Sequence, residues 1–267
     1  MDLILKAIIL GIVEGITEFL PISSTGHLIV FGHFLDFTGP FAVTFEIVIQ
    51  LGAILAVVVF YWKRILESLK NLKPGQWGFR LWLWMLIAFV PSAVLGLLTN
   101  DFVEQYLFSP LTVAIAMIVG ALLILVVEKL VRTAKYNDML KVGAKKSFLI
   151  GLAQCLSLFP GMSRSASTIL GGLMVGLSAK AAAEFSFFLA IPTMFAATGY
   201  SLVKGVGAMT ATEGLALAVG FIASFAVAFL VVGRFLSFLG KHSLKPFAYY
   251  RLAVGTIMIF IAALGLL

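Results

Sequence analysis

A chain of 267 residues that is 61% hydrophobic and only 12% charged lies outside the range of soluble globular domains, which run nearer half apolar and a quarter charged. Its formal charge of +7 does not point to nucleic acid, because the basic residues stand at the ends of apolar segments, as orientation in a membrane requires. One cysteine, Cys155, excludes an intramolecular disulfide and any zinc-type cysteine cluster.

The first apolar segment, about residues 1–35, carries "EGITEFLPISSTGH" at its centre. A secretory signal is not expected: Asp2 precedes Lys6, Glu14 and Glu18 interrupt the apolar run, and no small-residue cleavage site follows. Six runs then have about the 20 residues that a membrane-crossing helix needs: 43–62, 81–99, 111–128, 185–203, 214–233 and 248–266. Between the third and the fourth lies another interrupted segment, 147–178, with "PGMSRSAST" in its middle.

Charge orients these crossings. Residues 63–80 carry Lys63, Arg64, Lys70, Lys73 and Arg80 against Glu67. Residues 128–146 carry six basic residues, Arg132 among them, against Glu128 and Asp138, and residues 234–251 carry Arg234, Lys241, Lys245 and Arg251 with no acid. These loops are predicted to lie inside. Residues 99–110 have acids and no base, and 204–213 balance Lys204 with Glu213, so both are predicted outside. The interrupted segments must then begin and end on one side, and their polar turns predict re-entrant hairpins, a backbone form tolerated at depth where it lines a cavity or is buried in protein.

The two hairpins align when 140 is added to the numbering. Gly11 meets Gly151, Glu14 meets Gln154, Phe19 meets Phe159, Ser23 meets Ser163 and Thr25 meets Ser165. A helix with an early glutamate follows each: "TFEIVIQLG" with Glu46, then "AEFSFFLAIP" with Glu184. The expected fold is an all-α membrane protein in a single transmembrane domain, with six transmembrane helices and two re-entrant hairpins. Its halves, about 1–130 and 147–267, form an inverted-topology repeat with the site where the broken helices meet.

Charged groups at membrane depth are costly and usually functional. Glu14 and Glu18, four apart, share one helical face and repel, so a cation belongs with them: an arginine, or a divalent metal such as Mg2+ or Ca2+ that also takes phosphate oxygens. The competing role is a protonated pair in a helix interface, with Gly11 and Gly15 as its small-residue packing face. Arg164 is suited to grip phosphate with its planar fork, or to form a structural salt bridge to a glutamate. The hydroxyls of Ser23, Ser24 and Thr25 suit helix caps, or a nucleophile activated by His27 as base. His27 itself could attack phosphorus, protonate a leaving group, or serve as a structural hydrogen bonder. Together these groups suit a phosphoryl centre.

At these motifs, and over essentially the whole chain, the sequence closely resembles the undecaprenyl-diphosphate phosphatase family associated with bacitracin resistance. "EGITEFLPISSTGH" matches its glutamate-rich motif and "PGMSRSAST" its arginine motif, while "FEIVIQLGAILAVV" and "EFSFFLAIP" also look like family sequence. The resemblance implies a multi-pass enzyme of the bacterial inner membrane, open to the periplasmic side. It would hydrolyse undecaprenyl diphosphate to undecaprenyl phosphate and inorganic phosphate, recycling the lipid carrier for cell-wall synthesis, and would depend on divalent metal. By motif, Glu14 and Glu18 would hold metal or manage protons, Arg164 would bind the diphosphate, and Ser24 or His27 would be nucleophile or base. Ser23, Thr25, Glu46, Gln50, Gly161, Ser163, Ser165 and Thr168 would complete substrate binding. Membrane lipids are the expected surroundings, and a homodimer is one allowed assembly.

Two other readings compete. The acid-phosphatase superfamily needs a histidine soon after its Ser-Arg pair, and "SASTILGGLMVGLSAK" after Arg164 has none. A lipid-phosphate transporter or flippase would also use inverted repeats and broken helices. Phosphate release in detergent, where there is no membrane to cross, separates it from a hydrolase.

Overall fold

The computed structural model describes residues 2–131, 133–204 and 209–266. Arg132 and part of the 204–213 loop, both used to orient the chain, lie outside the described residues.

Among the described residues the chain is helical throughout: α1 (Leu3–Thr17), α2 (Ser24–Phe34), α3 (Pro40–Phe60), α4 (Trp62–Lys70), α5 (Trp77–Tyr106), α6 (Pro110–Leu130), α7 (Gly143–Gln154), α8 (Arg164–Met174), α9 (Ala179–Lys204), α10 (Ala211–Leu239) and α11 (Lys245–Ala263). Six of these, α3, α5, α6, α9, α10 and α11, are long and apolar enough to cross a membrane, and they coincide with the six predicted runs. Local chemistry sets several of their starts. Pro40 and Pro110 occupy first turns, Ser109 caps α6, and Thr210 with Glu213 forms a capping box at α10.

The remaining apolar helices are shorter. α1 has 15 residues, α7 has 12, and α2 and α8 have 11 each. At 1.5 Å per residue none reaches the roughly 30 Å of a hydrocarbon core. They come in pairs, α1 with α2 and α7 with α8, each joined by a short polar turn. At both turns the serine before the second helix sits at positive φ, 71° for Ser23 and 72° for Ser163. Each serine hydroxyl accepts from the amide three residues on, Gly26 or Ala166. Asp36 is the one other non-glycine at positive φ among the described residues. A strained backbone angle persists only where its surroundings fix it, and here it recurs at positions that the sequence alignment pairs.

The short helices pack across the chain. α1 lies on α10, with Gly11 against the Gly220 carbonyl and Gly15 so close that a Cβ would stand 2.7 Å from the Ser224 carbonyl oxygen. α7 lies on α5 in the same way, through Gly151 against Ala88. Thus the small residues that the sequence offered as a packing face do pack, while Glu14 and Glu18 turn to another side. The first loop's Phe19 meets Phe187 of α9 edge-on at 5.2 Å between ring centroids, which brings the first turn against the second half of the chain.

Candidate functional site

The site forms where the two polar turns meet. Glu18 ends α1 and Arg164 begins α8. Arg164 Nη2 lies 2.9 Å from Glu18 Oε1, and both side chains are largely buried. The other carboxylate oxygen, Oε2, accepts from the Ser24 hydroxyl at 2.7 Å. One carboxylate therefore joins a cation of the second turn to a hydroxyl of the first.

Arg164 is further held by the chain around it. Nη1 donates to the carbonyl of Ser186 at 3.2 Å and to its hydroxyl at 3.3 Å, Nη2 reaches Met194 Sδ at 3.3 Å, and the guanidinium stands over the Phe19 ring. Thr168 supports this arrangement, its hydroxyl 2.6 Å from Ser186 Oγ. Arg164 Nε is buried and has no partner. A buried guanidinium gains most when every donor is used, and among the described residues this N–H is the one Arg164 donor group that is not.

Ser165 Oγ donates to the Leu20 carbonyl at 2.7 Å and lies 3.0 Å from Ser163 Oγ. Ser165 thus ties the second turn to the first, while Ser163 braces it from within its own turn. Gly161 takes φ of +98° against α6, next to the Val113 carbonyl, a conformation and a closeness that a side chain would not permit.

Beside the ion pair is a cavity of about 210 Å³, with Glu14, Ser24, Thr25, Glu46 and Gln50 as its polar wall and Leu28, Val43, Ile47 and Phe108 as its apolar one. Glu14 is buried, its Oε1 has no hydrogen-bond partner, and the charges acting on it are Glu18, Glu46 and Arg164. Among the described residues no three His, Cys, Asp or Glu side chains gather to hold a metal by themselves. The donor set nevertheless fits a hard cation completed by substrate: one or two carboxylates plus phosphate oxygens is how Mg2+ is usually bound. Since Arg164 and Ser24 engage both Glu18 oxygens, the acid pair that lines the cavity is Glu14 with Glu46.

His27 points elsewhere. Its Nδ1 lies 2.7 Å from the Ser23 carbonyl oxygen, and its Nε2 lies 2.8 Å from the Tyr250 hydroxyl. A carbonyl only accepts, so Nδ1 carries the proton, and in the neutral ring Nε2 then accepts from Tyr250. Both ring nitrogens are occupied away from Ser24.

A larger cavity, about 460 Å³, lies between α5, α9 and the end of α7. Among the described residues no charged side chain lines it.

The family model described as bacitracin resistance protein BacA matches residues 7–257. The chain belongs to the BacA family. A relative from Thermoanaerobacter pseudethanolicus, named undecaprenyl-diphosphatase, is 66% identical over 98% of both chains. Proteins of the same name from Clostridium tetani and Acinetobacter baumannii are each 48% identical, over 98% and 97% of this chain and 97% and 96% of their own.

Two features of this BacA chain are not foreshadowed by its motifs. Tyr250 meets His27, and Arg251, which charge counting places in a loop, does not lie in one. The structure puts Arg251 inside α11, fully buried, donating to five backbone carbonyls. A signal was available: "FAYYRLAVG" is apolar on both sides of the arginine, and the rule applied to Glu14, that charge at depth has a purpose, covers it equally.

Proposed function

We propose that this chain hydrolyses undecaprenyl diphosphate to undecaprenyl phosphate and inorganic phosphate, and so recycles a lipid carrier and supports bacitracin resistance. The observation that carries the chemistry is Glu18 shared between Ser24 and Arg164. A hydroxyl 2.7 Å from a carboxylate oxygen has its base at hand, and a guanidinium beside it supplies charge where phosphoryl oxygens must bind.

In this mechanism Ser24 Oγ attacks the terminal phosphorus while Glu18 takes its proton. The new oxygen–phosphorus bond forms as the bridging one breaks, and undecaprenyl phosphate leaves. Water then attacks the seryl phosphate, the proton returns from Glu18 to Ser24, and inorganic phosphate departs. Arg164, paired with the same Glu18 that binds Ser24, would turn its guanidinium to the phosphoryl oxygens. Ser24 is preferred over His27 because the histidine's nitrogens are bound to Ser23 and Tyr250. A hard divalent cation, Mg2+ or Ca2+, would be held by Glu14 with oxygens of Glu46 and Gln50, and would neutralise charge on the phosphoryl oxygens.

The same reading sets the protein in the bacterial inner membrane, with hairpins α1–α2 and α7–α8 re-entrant and the halves inverted. The matched serine angles and the crossed packing of α1 on α10 and α7 on α5 support this arrangement. Phe108 and the start of α3 line the cavity, and the charge rule puts both at the outer face, which favours opening to the periplasm.

The test is release of inorganic phosphate from undecaprenyl diphosphate by purified protein in detergent. One phosphate per lipid monophosphate formed is expected; no release would leave only a binding or transport role.

A further inference from the structure

Arg251 has an unusual environment for a charged group in a membrane helix. It is 0% exposed, and the ion pairs found among the described residues do not include it. Its planar fork has five N–H donors, and the five bonds go to five carbonyls. Nε donates to Met117 at 3.0 Å; Nη1 donates to Pro21 at 3.2 Å and Met162 at 3.0 Å; Nη2 donates to Ala116 at 3.3 Å and Gly161 at 3.0 Å. Pro21 belongs to the first turn, Gly161 and Met162 to the second, and Ala116 and Met117 to α6. The guanidinium lies against Gly120 of α6, where a Cβ would collide with Nη2.

We propose that Arg251 is a positioning residue for the hydrolysis proposed above, on which this role rests: it fixes the spacing of the two turns, and hence the meeting of Glu18 with Arg164. Pro21 stands three residues after Glu18 and Met162 two before Arg164, and both carbonyls bind one nitrogen of one rigid group. Placement errors of an ångström at a phosphoryl centre cost rate more than affinity, since the chemistry depends on alignment. Lysine is a poor replacement. Its three donors radiate from one point and cannot meet five carbonyls arranged around a plane.

The test uses full-length protein purified in detergent, with Arg251→Lys, Arg251→Gln and, as a perturbation that keeps the arginine, Gly120→Ala. Turnover is counted per molecule able to bind a non-hydrolysable prenyl methylene-diphosphonate, so unfolded protein does not enter. Expected are a kcat at least about 30-fold lower in Arg251→Lys, lower again in Arg251→Gln, a smaller loss in Gly120→Ala, and analogue affinity within about threefold of the parent. A role confined to folding would lower the number of binding molecules and leave kcat per molecule unchanged, which overturns the proposal. Should Arg251→Lys fail to fold, Gly120→Ala decides.

A second measurement does not depend on activity. In a Cys155→Ser background, cysteines at Leu20 and Ser165, whose backbone and side chain touch across the turns, should cross-link at least about tenfold faster with Arg251 than with Arg251→Lys, as effective concentration follows geometry. Equal rates would refute the spacing role even if the parent protein proved inactive on the lipid diphosphate, a result that would count against the functional reading alone.

Discussion

Glu18 and Arg164 are separated by 146 residues in sequence and by 2.9 Å between charged atoms. Each sits beside a turn whose serine is held at positive φ, and neither has another charged side chain within ion-pair distance among the described residues. Removing one member leaves the other buried without its counter-charge, a situation that costs about 3–5 kcal/mol in folded proteins. Arg164→Ala is therefore expected to abolish phosphate release and to lower thermal stability in detergent together. Glu18→Gln should part the two effects: it too removes the counter-charge, but its amide can still bond Ser24 and Arg164, so the melting temperature falls less than in Arg164→Ala and ligand binding persists, while turnover falls at least about 100-fold. Steady-state kinetics beside a melting curve reads both, and near-normal activity in Arg164→Ala would remove the arginine from the site.

Ser24 and His27 give opposite expectations. Ser24→Ala removes the hydroxyl that donates to Glu18 and should cut kcat by about a hundredfold or more. His27→Gln retains a group able to bond Tyr250 or the Ser23 carbonyl, and should lose less than about tenfold. Rapid quenching with labelled substrate should trap phosphate on Ser24 in the parent and none in Ser24→Ala. Labelling of His27 instead would reverse the assignment.

The six long helices were legible because apolar runs and flanking charge are local signals that the bilayer enforces. The short helices were legible as interrupted segments, since polar residues in a greasy run have few structural excuses. The meeting of Glu18 with Arg164 was expected from the repeat and from the need of paired glutamates for a cation. What sequence could not divide is the glutamates' labour: the two share a helical face, since the Glu18 N–H bonds the Glu14 carbonyl, but Arg164 and Ser24 take the Glu18 oxygens while Glu14 is left on the cavity wall with Glu46. Periodicity puts both on one face and carries no information on which partners distant parts of the chain bring to each. Arg251 differs for another reason. Charge counting assigned it to a loop, while α11 begins six residues earlier, at Lys245.

Metal removal tests the cavity wall. With Glu14 Oε1 partnerless and Glu46 on the same wall, excess chelator should silence the enzyme and added Mg2+ or Ca2+ should restore it. Glu14→Gln and Glu46→Gln each remove one anionic ligand, and should raise the metal concentration needed for half-activity about tenfold or more. Titrating activity against free metal for the three proteins checks this. Full activity in chelator would assign Glu14 to proton handling instead.

Orientation can be checked without activity. Asn71 follows α4 and Asn137 precedes α7, in the basic loops that the charge rule puts inside. In a Cys155→Ser background, cysteines at these two positions should react with a membrane-impermeant maleimide only after the cells are opened, whereas a cysteine at Phe108, on the rim of the cavity, should react in intact cells whose outer barrier admits the reagent. Phe108 is half exposed, so its reaction should also slow when a lipid diphosphate occupies the cavity. Protection at residue 108 alone, with residues 71 and 137 unaffected, would link the face of the membrane to the site. Labelling of residues 71 and 137 from outside would invert the topology and turn the cavity toward the cytoplasm.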